Sequence, residues 1–160
     1  MAATVSLEDI VDALDALHDE FTPFLDLETG KVETVSRELL LEAEEGDEDD
    51  EDGVESIPEW QRPEWEIATL IGVKSPERFE RLPNSFEVHQ WNIMREFAEQ
   101  FPFAPVRSEL LDAIHGSGAF RAFKIALRRL RVEANWFEFR HAALRQIAIK
   151  WCQQNHVSWK

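Results

Sequence analysis

The sequence predicts an α+β fold, mostly helical, with five or so helices and a small antiparallel sheet made of a hairpin plus one strand. Three observations carry that expectation. Two short runs of strand-forming residues flank Glu28-Thr29-Gly30-Lys31, a turn in which Gly30 is free to take the positive φ that closes a hairpin. From Pro63 onward, apolar residues recur at spacings of three and four, the period of a helix with one buried face. The 160 residues are 44% apolar and include six Trp and eleven Phe, which is enough to build a core.

In chain order, Ser6 is placed to cap a first helix, because Ile10, Val11, Leu14 and Leu17 follow at helical spacing as far as about residue 18. Phe21 to Leu27 and Val32 to Val35 read as the strands of the hairpin. Pro63 suits the first position of a helix carrying Trp65, Ile67, Ala68 and Ile71, with Gly72 at its end. Phe79 to Leu82 forms the third strand, stopped by Pro83. Asn84 or Ser85 then caps a longer helix with Val88, Trp91, Met94 and Phe97 on one face. Ser108 caps a short helix that ends at Gly116-Ser117-Gly118, and another begins near Ala119. A final helix runs from about Val132 to Asn155, with Trp136, Phe139, Ala143, Ile147 and Trp151 along its buried side.

Charge divides the chain unevenly. Residues 1–106 hold 7 basic and 28 acidic side chains, whereas residues 107–150 hold 9 basic and 4 acidic. The net charge of −15 therefore conceals a basic C-terminal part that, beside an acidic N-terminal part, can attract a partner or the chain's own acidic tail. Between Glu42 and Glu55, ten of fourteen residues are carboxylates. Such a run repels itself and lacks apolar surface to bury, so residues 42–58 are expected to be an acidic, disordered insertion within a single domain spanning residues 1–160. No apolar run reaches the ~18 to 20 residues of a membrane span. Residues Met1 to Ser6 lack the basic region and apolar stretch of a signal peptide, and a single cysteine, Cys152, cannot form an internal disulfide, so the expectation is a cytoplasmic protein with no membrane contact.

The segment Gly116-Ser117-Gly118-Ala119-Phe120-Arg121-Ala122-Phe123-Lys124, with Trp136-Phe137-Glu138-Phe139-Arg140 and Trp151 after it, resembles the bacterial group catalogued as uncharacterised protein family 0158. Leu25-Asp26-Leu27-Glu28-Thr29-Gly30-Lys31-Val32 looks like the opening hairpin of that family, Leu82-Pro83 like its strand end, and Met94 with Phe97 like its central helix. The likeness covers roughly residues 20 to 155. Trp91 departs from it, standing where a tyrosine is more usual, and so does Cys152-Gln153 where an aliphatic residue is common. The resemblance implies no activity.

The most suggestive constellation is the pair of helices around Gly116, Ser117 and Gly118. A Gly-x-Gly loop lets backbone N–H groups at a helix start approach a phosphate, and Arg121, Lys124, Arg128 and Arg131 follow on one stripe beside a core stripe of Phe120, Phe123, Leu127 and Leu130. The alternative is a basic stripe that is a solvated face or docks on the chain's own carboxylates, with Gly118 permitting close packing and Ser117 capping the next helix. Other candidates are weaker. Glu48, Asp50, Asp52, Gly53 and Glu59 have calcium-loop spacing, but Glu55 stands where that loop has an aliphatic residue and Pro58 spoils the exiting helix. Glu138 and His141 have the spacing of a di-iron helix, without the second pair that such a centre needs. Cys152, on an apolar helix face, reads as buried and inert. Trp60 and Trp159 lie in or beside irregular segments and are the better aromatic anchors for a partner.

No acid, base, nucleophile or metal set assembles with roles, so no enzymatic activity and no cofactor is expected. The reading is a non-enzymatic cytosolic interaction protein with a protein partner whose identity the sequence does not give. The alternative is a nucleic-acid-associated protein contacting phosphates weakly and without sequence preference through residues 116–131.

Overall fold

The structure, a computed structural model, describes residues 4–45 and 57–160. Its class is the expected one: helices with one three-stranded antiparallel sheet. The helical segments outnumber the five expected. The chain divides into two compact units, Met1–Ser85 with Ala148–Lys160, and Phe86–Ile147.

In the first unit, helix α1 (Leu7–Asp15) starts where Ser6 turns out of the helix and its hydroxyl accepts the Asp9 N–H, and it buries Leu7, Ile10, Val11 and Leu14. Strand β1 (Phe21–Asp26) is central. β2 (Val32–Ser36) pairs with it antiparallel, Leu25 opposite Val32, and β3 (Phe79–Arg81) pairs on its other side, Asp26 opposite Phe79. Gly30 closes the hairpin at φ 75°. Pro23 sits in the central strand without a donor to offer. The structure accommodates it because β3 stops at Arg81: Leu82 N–H donates to the Pro23 carbonyl at 3.0 Å, and the Leu82 carbonyl accepts from the Arg81 guanidinium at 3.1 Å.

Helix α2 (Arg37–Glu45) was not anticipated. Ser36 Oγ accepts the Leu39 N–H at 3.2 Å, and Leu39 and Ala43, one turn apart, are buried. The helix thus takes in Glu42 to Glu45 of the acidic tract; residues 46–56 of that tract, and most of the calcium-like spacing, lie outside the described residues. Helix α3 (Arg62–Thr69) begins with Pro63 in its first turn, as expected. It does not end at Gly72. A π-helical turn, Leu70–Lys74, continues it, and a Cβ on Gly72 would meet Glu44 Cγ at 3.0 Å, so glycine is present for the close approach of α2 rather than as a cap. Phe24, Val35, Leu39, Ala43, Ile57, Ala68, Ile71 and Phe79 form the core between sheet and helices.

Among the described residues of this unit one charged side chain, Asp26, is buried, with a partly exposed arginine as its partner. Asp26, at the end of β1, is almost without solvent exposure, and its carboxylate accepts from Arg78 Nε at 2.8 Å and Nη2 at 2.7 Å, a two-point pairing. The Glu28 N–H adds a third donor at 3.0 Å. These donors, Arg78 above all, hold the Asp26 carboxyl down at about 2 although burial opposes them.

In the second unit the expected long helix from Ser85 is two helices. α4 (Ser85–Val88) stops at His89, which takes left-handed angles, φ 52° and ψ 60°, and α5 (Gln90–Glu99) begins beyond it. α6 (Ala104–Ile114) starts four residues before Ser108, with Pro105 in its first turn, so Ser108 is an interior residue and not a cap. α7 (Ala119–Leu130) and α8 (Glu133–Gln154) lie close to their expected bounds, with residues 133–147 of α8 in this unit. The core is aromatic. The Phe97 ring meets Phe101, Phe123, Trp136 and Phe139 at centroid distances of 5.0, 6.3, 5.3 and 5.4 Å, the first three edge-to-face.

Candidate functional site: an exposed basic helix and an aromatic cleft

Gly116, Ser117 and Gly118 form the exposed turn between α6 and α7. Gly118 has φ 69°, a conformation that a Cβ disfavours, although a Cβ there would meet nothing within 4 Å. Backbone angle, not close packing, is its reason to be glycine. Gly116 has open space and no such angle. The Ser117 hydroxyl makes no hydrogen bond among the described residues, and no side chain caps the start of α7. The expected serine cap is therefore absent, and the first N–H groups of α7 remain without a side-chain acceptor.

Along α7, Arg121, Lys124 and Arg128 are exposed, and Arg131 follows just past the helix end in the left-handed conformation at φ 59°. The stripe is less cationic than its composition suggests. Arg128 pairs with Glu133 at 3.9 Å, and the neighbouring Arg129 pairs with Glu109 of α6. Arg121, Lys124 and Arg131 have no carboxylate within pairing distance among the described residues.

One expectation about this helix is overturned. Phe120 does not join the core stripe of Phe123 and Leu127; it is 53% exposed. Ile125 is 54% exposed and lies one turn from Arg121. The outward face of α7 is thus cationic and apolar at once, and the signal for it was the i, i+4 relation of residues 121 and 125.

The second feature is a cleft of about 380 Å³ in the same unit, between the end of α5 and the first half of α8. Asn135, Glu138, Phe139 and Ala142 line it from α8 at spacings of three and four; Phe97, Gln100, Phe101 and Pro102 close the other side.

Among the other candidates, Trp60 is 76% exposed and Trp159 is also exposed, as expected of partner anchors, while Trp136 and Trp151 are buried. The Trp91 indole donates to the Ile114 carbonyl at 3.0 Å. Cys152 is free and fully buried, and burial pushes its thiol up to about 11. Among the described residues no group of three or more His, Cys, Asp or Glu is placed to hold a metal ion, and no helix is long and apolar enough to cross a membrane. No family model matches the chain, and neither a curated protein nor a solved structure matches it, so the comparisons add no support to the resemblance to uncharacterised protein family 0158.

Proposed function

We propose that the protein is a non-enzymatic cytoplasmic interaction protein that binds an acidic polypeptide through the outward face of α7. The observation that supports this reading is the mixture on that face: Arg121, Lys124 and Arg128 stand beside Phe120 and Ile125, all exposed. A partner with both carboxylates and apolar side chains satisfies such a face, because burying the two apolar groups supplies affinity and the cations supply orientation and association rate. Phosphates alone would leave Ile125 unused. The test is a titration of a labelled acidic amphipathic peptide against the whole chain. Saturable binding that is lost in Phe120→Ala with Ile125→Ala, as well as in Arg121→Ala with Lys124→Ala, supports the reading. Binding that depends on the charges alone refutes it.

The nucleic-acid reading is favoured by a different observation, the uncapped, exposed start of α7 after Gly118, where N–H groups are open to a phosphate. With three cations free of carboxylates, the logarithmic salt slope for an oligonucleotide would be about −3, and base sequence would not matter. Titrating single- and double-stranded oligonucleotides at low salt decides this, and capture from extract with and without nuclease separates the two partner classes.

A further inference from the structure

We propose that the cleft between α5 and α8 holds an arginine side chain presented by a partner polypeptide, a contact separate from the α7 face. The argument starts from the lining. Phe97, Phe101 and Phe139 supply aromatic walls, with Phe97 itself buried beneath and edge-on to Phe101 at 84°. A guanidinium is flat, weakly hydrated and cationic, so it lies against such rings at less desolvation cost than an ammonium does. The polar groups of the lining are one carboxylate, Glu138, and two amides, Gln100 and Asn135; no cation is among them. A carboxylate accepts two parallel N–H bonds from a guanidinium, and amide oxygens can accept those left over.

Backbone charge points the same way. The cleft lies at the C-terminal end of α5, where helix carbonyls present partial negative charge. Near this end Arg107 donates to the Phe101 carbonyl at 2.8 Å and Arg95 pairs with Glu99 at 3.7 Å, so both have acceptors of their own and neither lines the cleft. The size is suitable too, since 380 Å³ lies near the lower end of ligand pockets, roughly 300 to 1,000 Å³. Ala142 keeps the cleft open, because it occupies an exposed helix position where a longer side chain would lie across the Phe139 ring. The polypeptide source follows from Phe103, 63% exposed and one residue beyond Pro102, which offers apolar surface at the rim to residues flanking the arginine.

The test uses the whole isotope-labelled chain and backbone NMR, with acetyl-Leu-Arg-Leu-amide as probe. The expected result is saturable shifts at Phe101, Asn135, Glu138 and Phe139 with millimolar affinity. Replacing the arginine by its neutral isostere citrulline should weaken binding about tenfold, as should Glu138→Gln, because each removes one half of a charged hydrogen-bonded pair. Ala142→Leu should abolish the shifts without altering charge. Both substitutions are at exposed helix positions, so the native spectrum elsewhere checks the fold. Equal binding of the arginine and citrulline peptides, or binding that survives Ala142→Leu, would overturn the assignment, as would no saturable shift in the millimolar range. Free arginine binding as tightly as the peptide would overturn the polypeptide source.

Discussion

The unit around the sheet and the unit of α4 to α8 solve the same packing problem with different side chains. In the unit of residues 86–147, basic residues number nine against seven acidic, whereas the rest of the chain has eight against 25. The sheet unit packs mostly aliphatic residues around Phe24 and Phe79 and buries one carboxylate, Asp26, against Arg78; the helical unit buries a cluster of rings. The helical unit leaves Phe86, Phe103, Phe120, Ile125 and Phe137 in solvent, and the sheet unit Phe21, Leu41, Trp60 and Trp159. A strongly acidic body repels most biological surfaces, while a near-neutral one with apolar and cationic side chains outside attracts them. The two units therefore differ outside chiefly in charge, and the proposed contacts lie on the near-neutral one.

That contrast can be broken most forcefully at the ring cluster. Phe97→Ala removes the ring that meets four others, and should cost about 4 kcal/mol in denaturant unfolding, with Trp136→Ala close behind. A loss below about 1 kcal/mol would mean that the rings are not the core of the helical unit. The corresponding test of the sheet unit is Arg78→Met. It leaves the buried Asp26 carboxylate without its guanidinium and should cost about 3 kcal/mol at neutral pH.

The pH dependence of the same pair sharpens the comparison. Asp26 is depressed from 3.8 to about 2 on folding, so its contribution is fully present above pH 3.8 and fades as pH falls toward 2. About 2 kcal/mol should disappear over that window in the parent chain, and much less of it in Arg78→Met. Unfolding midpoints measured between pH 2 and 5 give the answer. A smaller effect is expected in the helical unit. Gly118→Ala should lose about 1 kcal/mol for its positive φ, whereas Gly116→Ala should be neutral or stabilising by a few tenths. The smallest is Arg121→Ala with Lys124→Ala, within about 0.5 kcal/mol of the parent in stability, since both side chains are exposed and unpaired. If that double variant destabilised the chain strongly, the face would be structural and not a partner surface.

Where local chemistry decided the outcome, the sequence was sufficient. Ser6 as a cap, Gly30 as a turn residue and the last helix all follow from short-range rules, and all are present. The errors arose where tertiary contact decided. Gly72 looks like a helix end, but the chain continues past it through a π turn, and a Cβ there would crowd Glu44 of α2. His89 interrupts a helix that its neighbours would prolong, with no glycine to announce the left-handed angle. Helix α2 was hidden because its carboxylates suggested a solvated tract, although Ser36 with Leu39 and Ala43 held the pattern. Of the candidate site, the cations and the Gly-Ser-Gly turn were legible as a stripe and a loop. The exposure of Phe120 was not, because an aromatic residue at position i of a core stripe is indistinguishable by spacing from one at the rim. The cleft was legible only in part: Glu138 and Phe139 share a helix face by spacing, but nothing local brings Phe101 and Pro102 opposite them.

Cys152 gives the sheet unit a stopwatch of its own. With a thiol held near 11, about one molecule in ten thousand carries the reactive thiolate at neutral pH, and even that one is sealed from solvent. A maleimide or disulfide reagent can therefore react only during the moments when the structure around Cys152 opens. The labelling half-time of the unmodified protein counts those openings, with no engineered probe and no denaturant.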